Sequence, residues 1–123
     1  MNSYKELKVW QRTVDLVAEI YRMTRTFPDE ERYTLTSQMR RAAISIPSNI
    51  AEGWGRGTTK EYVHFLRIAR GSLMELETQL IISEKLKYLS ADTINLLIKE
   101  IQEIGRMLNG LMRSLRHRET GRS

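Results

Sequence analysis

Apolar residues recur along this chain in four blocks at spacings of three and four, and short runs of proline, glycine and charge separate the blocks. That period is the mark of helices with one side turned to a core. The first block carries Leu7, Trp10, Val14, Val17 and Tyr21 along one stripe, with Val9, Leu16, Ile20, Met23 and Phe27 along a neighbouring one. It opens on Ser3-Tyr4-Lys5-Glu6, a capping box, and Pro28 stops it because the residue before a proline is driven out of helical geometry. In the second block, Leu35, Met39, Ala42, Ala43, Ile46, Ile50 and Trp54 line one side. Pro47 lies in its middle, where the missing backbone donor costs roughly 3 kcal/mol in an exposed helix and suggests a built-in bend. The block ends at Gly53, Gly55 and Gly57, a cluster able to take positive φ without a Cβ penalty.

Thr58-Thr59-Lys60-Glu61 repeats the capping-box logic before a third stripe of Tyr62, Leu66, Ala69, Leu73, Leu76 and Leu80. After Ser90, the residues Ile94, Leu97, Ile101, Ile104, Leu108, Leu111 and Leu115 keep a heptad rhythm. Four such helices on short links predict an all-α fold, an antiparallel up-down-up-down four-helix bundle with helices at about 4–26, 34–54, 59–87 and 91–117. One domain over residues 1–123 is expected, with a basic tail fraying from about residue 117. The first and fourth helices carry apolar residues beyond one core face, such as Val9, Ile20, Met107 and Met112, which favours self-association.

Composition removes several classes of chemistry. The 123 residues include no cysteine, so disulfides, thiol nucleophiles and cysteine-based metal sites are excluded. The first ten residues read as neither signal peptide nor anchor, and no segment approaches the roughly 20 apolar residues that span a bilayer, so a cytoplasmic protein with no membrane contact is expected.

The net charge of +5 matters less than its placement. Alternating helix directions bring Met1 to Thr13, Glu52 to Arg67 and Gly105 to Ser123 to one end of the bundle. These segments hold eleven basic and four acidic residues, whereas the rest of the chain holds nine basic and eleven acidic. A basic cap of this kind attracts polyanions. Arginines at the end of the last helix also complement its dipole, which leaves open a merely solvated basic end or an acidic protein partner. Lys60 and Arg67, however, sit in the early turns of a helix, an end that prefers anions, as though an external phosphate completed it. Arg56, Lys60, Arg67, Arg113 and Arg116 are the candidate phosphate contacts. Weak base preference is expected, since aromatics interleaved with these cations look scarce.

Other motifs do not assemble. Gly53 to Lys60 resembles a phosphate loop only superficially, because a helix precedes it and the lysine follows the hydroxyl residues. Glu61-x-x-His64 is half of a di-iron pair, but the other histidine, His117, has Ser114 three residues earlier. No metal or other cofactor is expected. A polar stripe of Arg41, Ser45, Asn49 and Glu52 on the second helix has no catalytic partner, and reads as hydrogen bonding across a helix-helix or subunit contact. The chain is not expected to be an enzyme.

Three strings of residues carry a resemblance: Tyr33-x-Leu35-x-x-Gln38, then Arg41-Ala42 with Ser45-Ile46-Pro47-Ser48-Asn49-Ile50-Ala51-Glu52-Gly53, then Phe65-Leu66-x-Ile68-Ala69-x-Gly71-Ser72-x-x-Glu75-Leu76. Together with Leu7-x-Val9-Trp10-Gln11 and Ile104-Gly105-x-Met107-Leu108-x-x-Leu111, the chain resembles the four-helix-bundle family encoded by intervening sequences within bacterial 23S rRNA genes. It is also similar to the accessory proteins of diversity-generating retroelements. The resemblance implies a homopentamer with a basic surface that engages RNA or other nucleic acid, or alternatively an interaction scaffold serving a reverse transcriptase. It implies fold and assembly roles, not catalysis, for Asn49, Glu52 and Gly53.

Overall fold

The computed structural model describes residues 1–120 and contains four long helices: α1 (Lys8–Thr24), α2 (Leu35–Gly55), α3 (Thr59–Lys85) and α4 (Ala91–Thr120). Cross-helix contacts fix their directions. Arg40 of α2 donates to Thr24 Oγ1 of α1 at 2.9 Å, while Ser72 of α3 reaches Ser45 of α2 at 2.9 Å. Ser83 Oγ lies 3.5 Å from Met39 Sδ, and Arg70 donates to Asn109 of α4 at 2.8 Å. Early residues of each helix thus meet late residues of the next, which is the up-down-up-down bundle. The last helix continues to Thr120, past the expected boundary at 117, and the remainder of the basic tail, 121–123 with Arg122, lies outside the described residues.

The start of the chain departs from a continuous helix over 4–26. Ser3 Oγ accepts from the Lys5 amide and caps only a 3-10 turn at Tyr4–Glu6, and Glu6 reaches the amide of Asn2 instead of closing the box on Ser3. Leu7 is extended, at φ −69° and ψ 123°, and α1 begins after it. Gln11 donates to the Lys5 carbonyl freed at this break, at 2.8 Å, and the rings of Tyr4 and Trp10 pack edge to face at 5.3 Å. A local aromatic contact and one side-chain amide have outweighed helix continuation.

The core face of α1 also differs from the leading stripe. Val9, Leu16, Ile20 and Phe27 are buried, with Thr13 and Thr24 between them, whereas Val14 is exposed. Both buried threonines return their hydroxyls to carbonyls of their own helix, Trp10 and Ile20, at 2.7 Å, which removes the cost of burying them. Val9, Ile20 and Met112 belong to the core and are not a surplus. Exposed apolar side chains gather on α3 and its C-cap, at Ile68, Met74, Ile81, Ile82 and Leu86, with Val14, Ile44 and Leu96 exposed on the other three helices.

The three clustered glycines do different jobs. Gly57 alone takes positive φ, at 91°. Gly53 lies inside α2 and is buried against α3, where an added Cβ would stand 2.8 Å from Phe65 Cβ and 3.1 Å from the Tyr62 carbonyl. Its missing side chain lets the two backbones approach. Pro47 is buried within α2 and does not break it. α3 stops at Lys85, not 87, in a Schellman cap: the Tyr88 amide bonds the Ser83 carbonyl and the Lys87 amide that of Glu84, both at 2.9 Å. The left-handed position of that cap is filled by Lys87, at φ 65°.

Candidate nucleic-acid interface

Leu73 of α3 lies 3.6 Å from the Cβ position of Gly105, and Arg70 bonds Asn109, so α3 and α4 run in a register that brings Arg67 level with the turn carrying Met112 and Arg113. At the same pole the turn at Tyr4–Glu6 packs against α2, and Trp54 meets Tyr62 edge to face at 6.1 Å across the link between α2 and α3. The three basic segments therefore converge.

Their charges are not equally available. Lys60, Arg67 and Arg113 are exposed, and no carboxylate among the described residues lies within 4.0 Å of them. Arg116 is exposed on the same side of α4, in an open trough with Gly110, Arg113, Ser114 and His117. Arg56 is different. Its Nε stands 3.1 Å from Glu52 Oε2, its Nη1 4.0 Å from Glu61 Oε2, and its guanidinium carbon 4.9 Å from the centre of the Phe65 ring. Two acids flank it, so it is a poor phosphate contact.

Two further cations counted toward this pole are neutralised by acids just outside the three segments. Arg12 of α1 grips Glu100 of α4 through both Nε and Nη2, a pairing that raises its pKa further, and Arg106 bonds Glu103 one turn away at 2.8 Å. The bias of charge toward one pole is thus smaller than the sequence count.

The polar stripe of α2 closes upon its own fold. Asn49 donates to the Ser45 carbonyl at 2.7 Å and to Ser45 Oγ at 2.9 Å, and Ser45 in turn receives Ser72 from α3. Two members of the stripe thus make a hydrogen-bonded seam between helices. Arg41 is exposed at the rim of a shallow trough along that seam, with Gln38, Glu75 and Gln79, while Glu52 is committed to Arg56.

Sequence reasoning missed the aromatic content of this pole. Tyr4, Trp10, Trp54, Tyr62 and Phe65 all sit in its segments and are all half-buried, so aromatics are not scarce there. The signal was present in their positions, but spacing along the helices assigned Trp10, Trp54 and Tyr62 to core stripes and left Tyr4 and Phe65 out of account. Burial pushes the Tyr62 phenol up to about 12, with Arg118 pulling in the other direction, and its hydroxyl has no hydrogen-bond partner among the described residues. His64 is exposed between Lys60 and Arg67 and meets the Phe65 ring edge-on at 5.4 Å. Among the described residues no three His, Asp or Glu side chains gather as a metal site, and no helix is long and apolar enough to cross a membrane.

The family model of the 23S rRNA-intervening sequence protein matches residues 5–110. Among solved structures, a protein of unknown function from the S23 ribosomal protein family of Bacteroides thetaiotaomicron VPI-5482 superposes with a TM-score of 0.79 at 19% identity, covering 85% of this chain and 95% of that one. At that identity the likeness is one of fold. No curated protein matches the chain.

Proposed function

The chain belongs to the 23S rRNA-intervening sequence protein family, and we propose that it is a non-enzymatic bundle that binds RNA or other nucleic acid through the pole bearing Lys60, Arg67, Arg113 and Arg116. The observation that carries this reading is the convergence of exposed cations from α3 and α4, of which Lys60, Arg67 and Arg113 have no carboxylate within 4.0 Å among the described residues. Such cations release counterions when they meet phosphates, so binding is strong at low salt and nearly blind to sequence. Arg56 is left out of the phosphate set because Glu52 and Glu61 already hold it.

Self-association belongs to the same reading, with the apolar outer face of α3 as its surface. Ile68, Met74, Ile81 and Ile82 on α3, with Leu86 at its C-cap, form a run of exposed apolar side chains, the kind of patch that marks an interface. A ring of five copies, as the family resemblance implies, would repeat the basic pole around an axis and multiply weak contacts.

Fluorescence anisotropy with a labelled RNA over a salt series tests the phosphate assignment. Reversing two cations, Arg67→Glu with Arg113→Glu, is expected to weaken binding for all sequences and to reduce the salt slope by about 2. An unchanged slope refutes the pole as the binding surface.

A further inference from the structure

Arg56 is built unlike a phosphate contact, and its geometry suits another ligand group. Glu52 and Glu61 both approach the guanidinium, at 3.1 and 4.0 Å, and carboxylates bond such a group at its N–H edge, in its plane. The guanidinium carbon stands over the Phe65 ring, 4.9 Å from its centre. The side chain is still 46% exposed. The result is a planar, weakly hydrated group with its charge offset and its orientation fixed from two sides. Phosphate is discouraged there by the two acids. A nucleobase is not, because bases stack on guanidinium planes and on aromatic rings through their π-faces.

Backbone contacts lie within reach of such a base. Lys60 and Arg67 bracket Phe65 in sequence on α3 and are exposed, but they project about 140–160° round the helix from it, so a strand held on them reaches the Arg56 platform by wrapping round the start of α3. Bases inside a duplex are already stacked and do not present a face to it. We propose that Arg56, held on Phe65, is a stacking platform for an unpaired base, and that this pole therefore takes single-stranded nucleic acid in preference to polyanions of the same charge without bases. The proposal rests on the nucleic-acid reading above and adds the class of strand.

Two labelled probes of equal length and charge separate the terms: an oligouridylate and an abasic strand. The whole protein is expected to bind the base-bearing strand about tenfold more tightly at fixed salt, within the range that stacking of one base supplies. Arg56→Lys keeps the charge and loses the plane. It should bring the ratio to about one while leaving affinity for the abasic strand unchanged, and Phe65→Leu, with its folding checked by circular dichroism, should do the same. Equal binding of both strands by the unmodified protein, or an undiminished ratio in Arg56→Lys, overturns the platform. Absence of binding to either strand at low salt overturns the nucleic-acid reading itself, and the platform with it.

Discussion

The phenol of Tyr88 donates to Glu31 Oε2 at 2.8 Å, fastening the link between α3 and α4 to the link between α1 and α2. Thr34 donates to the other carboxylate oxygen at 2.6 Å, and the rings of Phe27 and Tyr88 meet at 5.2 Å beneath. Held by these two hydroxyls, Thr34 foremost, the Glu31 carboxyl ionises below its ordinary range.

A carboxyl whose folded pKa is depressed contributes stability above its unfolded pKa, and that contribution is lost as pH falls through the lowered folded value. Tyr88→Phe removes one of the donors responsible. Its Tm is expected to fall below that of the unmodified protein at neutral pH, and the gap should narrow by about pH 3, where carboxylates become protonated. Thermal melts at both pH values check this, and a constant gap shows that the hydroxyl does not act through the charge of Glu31.

Gly53 and Gly55 are two residues apart in α2 and should respond oppositely to alanine. Gly53→Ala places a Cβ 2.8 Å from that of Phe65 and forces the helices apart, at a cost of about 1–3 kcal/mol. Gly55→Ala meets nothing within 4 Å, and helix propensity there favours alanine by up to about 1 kcal/mol. Urea denaturation of the two variants measures both signs.

Lys87 occupies a left-handed position that glycine takes without a Cβ penalty. Lys87→Gly should stabilise the protein by about 0.5–1 kcal/mol, the conformational gain exceeding the entropy that glycine adds to the unfolded chain. A lower denaturation midpoint would show that the Lys87 side chain contributes more than its backbone strain.

Arg12 and Arg106 serve as internal controls for the charge assignment. Each is paired with an acid, and both pairs are substantially exposed, so Arg12→Ala and Arg106→Ala should each cost no more than about 1 kcal/mol. Neither should alter the salt dependence of polyanion binding as the double reversal at Arg67 and Arg113 does. A parallel drop would mean that total charge, not unpaired charge at the pole, governs binding.

Periodicity was enough to read the bundle: the stripes of α3 and α4 are buried nearly as spaced, because each follows a single unbroken helix with one wet face. It misplaced the core of α1, where two apolar stripes competed and burial went to the one that includes Thr13 and Thr24, residues whose hydroxyls are satisfied within the helix and so do not look polar to the core. Convergence of the basic segments was legible once the topology was known. Which cations are spent was not, since Arg12 meets Glu100 across 88 positions of sequence, and the stacking of Arg56 on Phe65 depends on how closely Gly53 lets α2 approach α3.

α1 and α4 touch least of all neighbouring helices; Arg12 bonds Glu100 and Met107 across them, and a groove of about 450 Å³ between them is lined by Leu16, Met23, Leu96 and Leu97. The bundle is accordingly a tight central hairpin bearing two outer arms that share one loose edge. Breathing motions should begin by parting that edge, so amide protons of α1 and α4 should exchange with solvent earlier than those at the glycine-tightened crossing of the middle pair.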